Sequence, residues 1–149
     1  MARFTVCLLA FILAAGQFGV DAAPLSSRHA KPPGNYVQCN IARIKTVMGL
    51  SATNAAIHKI DLDMAAAVAS AHSGLKDAQT GIKTIARALI SRQQPPTAAR
   101  NQVGRGLNTA MGALAAMNPP NQVMSARVND TMTKLKKTMA AGQQVINNC

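Results

Sequence analysis

The sequence has no glutamate and no tryptophan, and aromatic residues of any kind are scarce. The three phenylalanines stand at positions 4, 11 and 18, so Tyr36 is the only aromatic residue after them. β-Sandwich cores and nucleic-acid sites are usually rich in aromatic side chains. The acidic residues are five aspartates, which leave few candidates for a paired-carboxylate catalytic site. We therefore expect an aliphatic core, no enzymatic activity and no binding of nucleic acid.

Long apolar runs are also absent after the N-terminal segment 1–23, which we predict to be a signal peptide. Arg3 precedes an apolar run that extends to Ala15, and Ala22 and Ala23 fit a cleavage site. The run is shorter than the roughly 20 residues that a membrane-spanning helix needs. We expect a secreted, extracellular protein, free or associated with a cell wall, without a transmembrane segment.

Cysteine is scarce, and the signal peptide would carry Cys7 away, leaving Cys39 and Cys149. An even cysteine count on an oxidising export route favours a disulfide. These two residues stand at opposite ends of a region with helical periodicity, and in an up-down bundle of four helices those ends meet. We predict an all-α, antiparallel four-helix bundle closed by a Cys39–Cys149 disulfide.

The chain after the signal peptide divides into a flexible arm and one domain. Residues 24–36 mix proline, glycine, serine and basic residues without periodicity, which is typical of an arm. Residues 37–149 form the predicted bundle domain, with loops at 92–97 and 118–121, where prolines are adjacent. Apolar residues at three- and four-residue spacing predict its helices. The four stripes are Ile41, Ile44, Met48, Ala55 and His58; Met64, Val68, Ala71, Leu75, Ala78, Ile82, Ile85 and Leu89; Ala99, Val103, Leu107, Ala110, Leu114 and Met117; and Met124, Val128, Met132, Leu135, Met139 and Ile146.

Two local signals concern where the first two helices start and stop. Gly49 and Ser51 disturb the register of the first stripe, so we expect that helix to bend or restart there. Asp61 and Asp63 are good helix-starting residues and precede the second stripe.

Glycines inside the predicted helices have two expected effects. Gly74, Gly81 and Ala88 form a line of small residues beside the second stripe, which would let a neighbouring helix come close. Gly104 and Gly106 are expected to weaken the third helix, each by about 1 kcal/mol relative to alanine.

The common catalytic and cofactor motifs are missing from the sequence. It has no glycine-rich phosphate loop and no elbow serine, and the disulfide would leave no thiol for a Cys/His pair. His58 lies three residues before Asp61, and His72 is on the next helix, so two imidazoles and a carboxylate could in principle meet around a metal ion. Against this, His58 is near a turn and His72 more than two helical turns farther along, so they need not meet. We expect solvated or capping roles for both histidines, no metal site and no cofactor.

Positive charge is the strongest compositional signal. Sixteen lysines and arginines against five aspartates give a formal net charge of +11, which draws a protein to anionic surfaces. Some of these lysines and arginines lie outside the apolar stripes of the second and fourth helices. Together they form a predicted basic face. It either keeps the protein soluble or contacts acidic polysaccharide or phospholipid headgroups. The predicted basic face consists of Lys76, Lys83, Arg87, Arg127, Lys134, Lys136 and Lys137.

Methionines recur on or beside the apolar stripes. Their flexible side chains fill gaps in a core, and they also line adaptable apolar surfaces. The candidates for contact with an apolar ligand or surface are Met64, Met117, Met124, Met132 and Met139.

An N-glycosylation sequon is present at Asn129, Asp130 and Thr131. Its place inside the predicted fourth helix disfavours modification. We therefore treat Asn129 only as a candidate acceptor.

Several segments carry a resemblance to known proteins. They are Cys39 to Lys45, Gly81 to Ala86, Gln102 to Leu107, and Ala141 to Ile146 before the terminal cysteine. With its leader, this pattern resembles small secreted helical proteins of filamentous fungi and is distantly similar to the hydrophobic surface-binding and cell-wall mannoprotein family. The resemblance implies an alanine-rich helical domain that binds hydrophobic surfaces or fatty acids.

Two functions fit these expectations. The first is a secreted, non-enzymatic binding protein that adsorbs to hydrophobic or anionic surfaces, or holds an apolar ligand such as a fatty acid. Its partners would be a lipid, a surface or a cell-wall polysaccharide. The second is a cationic effector or membrane-active interaction protein that acts through its basic face.

Overall fold

A computed structural model of the chain describes residues 36–60 and 64–149. This part of the chain forms four α-helices and no strand, which confirms the predicted all-α fold. The helices are α1 (Tyr36–Ile57), α2 (Ala65–Ile90), α3 (Thr97–Ala115) and α4 (Gln122–Asn148). Tyr36, assigned to the arm by sequence, is the first residue of α1. The predicted signal peptide, the rest of the arm and the two helix-starting aspartates lie outside the described residues.

The helices associate as two tight pairs. α2 packs most extensively on α3, and α1 packs most extensively on α4, whereas the α1–α2 and α3–α4 contacts are sparser. The diagonal pairs, α1 with α3 and α2 with α4, have at most marginal contact. Cys39 and Cys149 form the predicted disulfide, with their Cα atoms 5.3 Å apart. It joins the first turn of α1 to the residue that follows α4.

Small residues bring α2 and α3 into backbone contact. A Cβ atom added at Gly106 would lie 2.4 Å from the carbonyl oxygen of Gly74 and 2.6 Å from the nitrogen of Ala78. One added at Gly81 would lie 2.7 Å from the carbonyl oxygen of Ala99. The prediction that small residues on α2 admit a close neighbour is therefore confirmed.

The α1–α4 pair uses a glycine and buried threonines. A Cβ atom at Gly49 would lie 2.3 Å from Oγ1 of Thr138, and α1 continues through this position without restarting. Of the two expected alternatives, a bend or a restart, the restart at Gly49 is wrong, because the residue accommodates the neighbouring helix and α1 continues through it. Each buried threonine hydroxyl donates to the carbonyl oxygen four residues earlier, so it keeps a hydrogen bond inside the protein. The buried threonines are Thr46, Thr53, Thr131 and Thr138.

Larger aliphatic side chains from all four helices form one core. Of these, Ile57, Leu75, Leu114 and Leu135 are the largest fully buried apolar residues. The fourth helix is started by Asn121, whose side-chain oxygen accepts a 2.9 Å hydrogen bond from the backbone N–H of Met124. These features set the positions of the surface residues described below.

Replacing both cysteines, C39S with C149S, is expected to lower the free energy of unfolding by about 4–5 kcal/mol. The reason is that the unfolded chain regains the freedom lost by closing a loop with a sequence separation of 110 residues. Guanidinium unfolding followed by far-ultraviolet circular dichroism measures the change. The reduced wild-type protein is the control and should match the double variant, while an unchanged unfolding midpoint would contradict the prediction.

Replacing Gly104 or Gly106 of α3 by alanine should change the free energy of unfolding in opposite directions. Gly106→Ala is expected to destabilise the protein by about 1–3 kcal/mol, because the added methyl group overlaps the backbone of α2. Gly104→Ala places its methyl group where nothing lies within 4 Å. It should therefore stabilise the protein by about 1 kcal/mol, the difference in helix propensity. Urea unfolding of the two variants checks the pair, and stabilisation by both would rule out close contact at Gly106.

Candidate functional site

α1 carries apolar side chains on two opposite faces. Its buried face is built mainly from small residues and threonines, including Cys39, Ala42, Thr46 and Thr53. On the opposite side, four apolar residues at helical spacing face solvent. This outer stripe consists of Val37, Ile41, Ile44 and Met48, which are 64%, 37%, 41% and 59% exposed.

The outer stripe contains three of the residues whose spacing predicted the first helix. The periodicity at Ile41, Ile44 and Met48 therefore marks the solvent side of α1, and it is wrong as a guide to the core. The cause is the close approach of α4 at Gly49, which requires small side chains on the inner face. The signal that sequence reasoning missed is the seven-residue spacing of Thr46 and Thr53, with Leu50 between them, which marks the inner face.

An open groove runs between α1 and α4 beside the outer stripe. Its volume is about 430 Å³. Lys45 of α1 and Lys137 of α4 both line it, and both are exposed. The other lining residues are Met48, Gly49, Thr138, Ala140, Ala141 and Gln144. The structure thus combines exposed aliphatic side chains with two lysines in one region of the surface.

The predicted basic face is divided between two helices. Lys76, Lys83 and Arg87 lie on α2, and the other four members lie on α4. Because α2 and α4 are diagonally opposed in the bundle, the two groups do not lie side by side. The structure therefore does not gather these residues into one continuous surface.

Two members of the α4 group have partners inside the protein. The ammonium group of Lys134 forms a salt bridge with Asp130, one turn earlier on the exposed surface. A guanidinium nitrogen of Arg127 donates a 2.8 Å hydrogen bond to the carbonyl oxygen of Lys59, in the turn after α1. Arg127 therefore anchors this turn to α4. The other two members of the group, Lys136 and Lys137, are exposed.

The five candidate methionines lie in or against the core. Met124 is buried, and the other four are partly buried and pack against the core cluster. These positions agree with the use of methionine to fill gaps in an alanine-rich interior. Contact of these side chains with an apolar ligand stays a prediction.

His58 and His72 meet, although their positions in the sequence do not require it. Their ring centres are 4.5 Å apart, and the ring planes are inclined at 48°. His58 lies in the turn after α1, and His72 lies on α2. Burial, and secondarily the neighbouring His58, lower the pKa of His72. Among the described residues, no three or more His, Cys, Asp or Glu side chains are grouped as metal ligands.

The candidate glycosylation sequon is helical. Asn129 is exposed on α4. Thr131, in contrast, is fully buried, and its hydroxyl donates a 2.8 Å hydrogen bond to the carbonyl oxygen of Arg127. A modifying enzyme needs access to both residues, so the folded protein is a poor substrate.

In residues 36–60 and 64–149, no helix has the length and hydropathy required to cross a membrane. Comparison of the chain with protein-family models, with curated proteins and with solved structures found no match. The function must therefore be argued from the surface of the molecule itself.

Proposed function

We propose that this is a non-enzymatic binding protein that adsorbs to anionic lipid surfaces through α1. The observation that carries the proposal is the outer stripe, an exposed row of aliphatic side chains with Lys45 and Lys137 beside it. No catalytic residue is assigned.

The outer stripe has the chemistry of an interfacial helix. Folding leaves Val37 and Met48 more than half exposed, and Ile41 and Ile44 more than a third exposed. Fully burying one such side chain contributes about 1.5–3 kcal/mol. Partial insertion of four of them at the boundary between headgroups and acyl chains therefore contributes several kcal/mol, without opening the bundle.

The two lysines supply the selectivity for negative charge. Each lysine near an anionic membrane contributes about 1 kcal/mol. The formal net charge of +11 adds a long-range attraction that brings the protein to such a surface. The lysines beside the outer stripe then favour the orientation in which α1 faces the lipid.

A lipid surface suits these side chains better than a polysaccharide does. Aliphatic groups gain free energy by leaving water for acyl chains, whereas a polysaccharide offers them mainly hydrated hydroxyl groups. Tyr36, at the start of α1, is 75% exposed. Tyrosine is a common residue at the interface between membrane and water.

Removal of the outer stripe should abolish most vesicle binding. We expect the triple variant I41Q, I44Q and M48Q to bind vesicles of phosphatidylcholine and phosphatidylglycerol at least about 100-fold more weakly, because each change removes an inserting apolar group. Co-sedimentation of protein with the vesicles measures the partition constant. The matched control is I90Q with V123Q, which replaces two side chains that are 60% and 64% exposed elsewhere on the bundle. Equal loss in the control would contradict the proposal.

Lysines beside the outer stripe should contribute more to vesicle binding than lysines far from it. The variant K45E with K137E is expected to weaken binding to the same vesicles by about 10-fold or more. The variant K76E with K83E makes the same change in net charge on α2, which is diagonal to α4, and should have a smaller effect. Surface plasmon resonance on supported bilayers at two salt concentrations compares the variants.

A second candidate function is a cationic interaction protein that works by charge alone. The exposed Lys136 and Lys137 of α4 favour it. It would be supported if both charge variants weakened binding equally while the triple stripe variant bound as well as wild type. Circular dichroism of every variant separates these outcomes from loss of folding.

A further inference from the structure

We propose that His58 and His72 bind a divalent transition-metal ion of the zinc and copper class, which clamps the end of α1 to α2. The expectation of no metal site assumed that the two side chains stay apart, and the structure brings them together. The remaining coordination positions would be filled by water.

The separation of the rings suits coordination of one ion. With metal–nitrogen bonds of about 2.0 Å, two imidazoles on the same ion have ring centres about 4.5 Å apart at an angle near 90° and about 5 Å apart at the tetrahedral angle. The observed distance between the centres of His58 and His72 is 4.5 Å. The two rings are therefore about as close as two ligands of one ion, and rotation of the side chains would turn a nitrogen of each toward it.

Both histidines are available to an ion and differ in exposure. His58 is exposed, so an ion reaches the pair directly from solvent. His72 is partly buried on α2, and its imidazole in the neutral form has a lone pair to donate to a metal ion. The hydrogen bond from Arg127 to the carbonyl oxygen of Lys59 holds the turn that carries His58.

The number of ligands and the surrounding charge determine the affinity of the site for a metal ion. Arg127 and Lys59 place positive charge near the turn, and this opposes a bound cation. With only two protein ligands, we expect micromolar affinity, well below that of structural sites with four. Imidazole favours zinc, copper and nickel over magnesium and calcium, so the ion belongs to the first group.

The position of the site gives the ion a structural effect. The α1–α2 contact is much sparser than the contacts within the two tight pairs. An ion held by His58 and His72 links α1 to α2 across this sparse contact. Because it binds only the folded arrangement, it stabilises the protein in proportion to its occupancy.

Zinc titration of the full chain tests the proposal, with calorimetry for affinity and thermal unfolding for stability. At a zinc concentration about 100 times the dissociation constant, we expect the wild-type Tm to rise by about 5–10 °C. H58A and H72A should each lose this rise and weaken zinc binding at least about 10-fold. The matched control is H29A, which removes the third histidine of the sequence and should respond as wild type does.

Copper provides a spectroscopic test that does not depend on stability. The electron paramagnetic resonance spectrum of Cu²⁺ added to the wild-type protein should show coupling to two imidazole nitrogens, and in H58A to at most one. Because the His58 side chain is exposed in a turn, its removal should leave the fold intact. Wild-type zinc affinity in H58A, or loss of the zinc response in H29A alone, would overturn the proposal.

Discussion

Backbone contact between antiparallel helices is the constraint on which the rest of this structure depends. Gly74 and Gly106 bring α2 and α3 so close that neither position admits a side chain, and Gly49 has the same relation to Thr138 of α4. At these points there is no room for a side chain between the two members of a pair. The leucines and isoleucines of the core come from all four helices and the turn after α1 and belong to one cluster.

The same constraint accounts for the unusual surface of α1. Close packing on α4 favours small and hydroxyl-bearing residues on the inner face of α1. The hydroxyl groups of Thr46 and Thr53 donate hydrogen bonds within α1, which lowers the free-energy cost of burying them. Ile41 and Ile44 have no place in such an interface and lie outside it. Both side chains are more than a third exposed, so the outer stripe leaves an apolar surface of α1 open to solvent.

Sequence patterns were enough for the architecture because the relevant signals are local. Helical periodicity, adjacent prolines and two terminal cysteines specify four helices, their order and their covalent closure. They were not enough for the outer stripe, since a three- and four-residue spacing identifies a face of a helix without saying what covers it. The His58–His72 contact was also beyond reach, because it depends on how the turn after α1 folds back on α2. For the outer stripe the missing information is the distance between α1 and α4, which is short because Gly49 has no side chain.

The disulfide has a topological consequence as well as an energetic one. Between Cys39 and Cys149 the chain is a closed covalent ring of four helices. Cutting one peptide bond in the segment 91–96 would leave a single molecule, in which the α1–α2 part and the α3–α4 part are still joined through sulfur. Such a nicked ring has the connectivity of a circular permutant that begins at α3 and ends at α2. The cyclic order of the four helices is thus fixed by the disulfide-closed ring. It stays the same wherever a single peptide bond of the ring is cut.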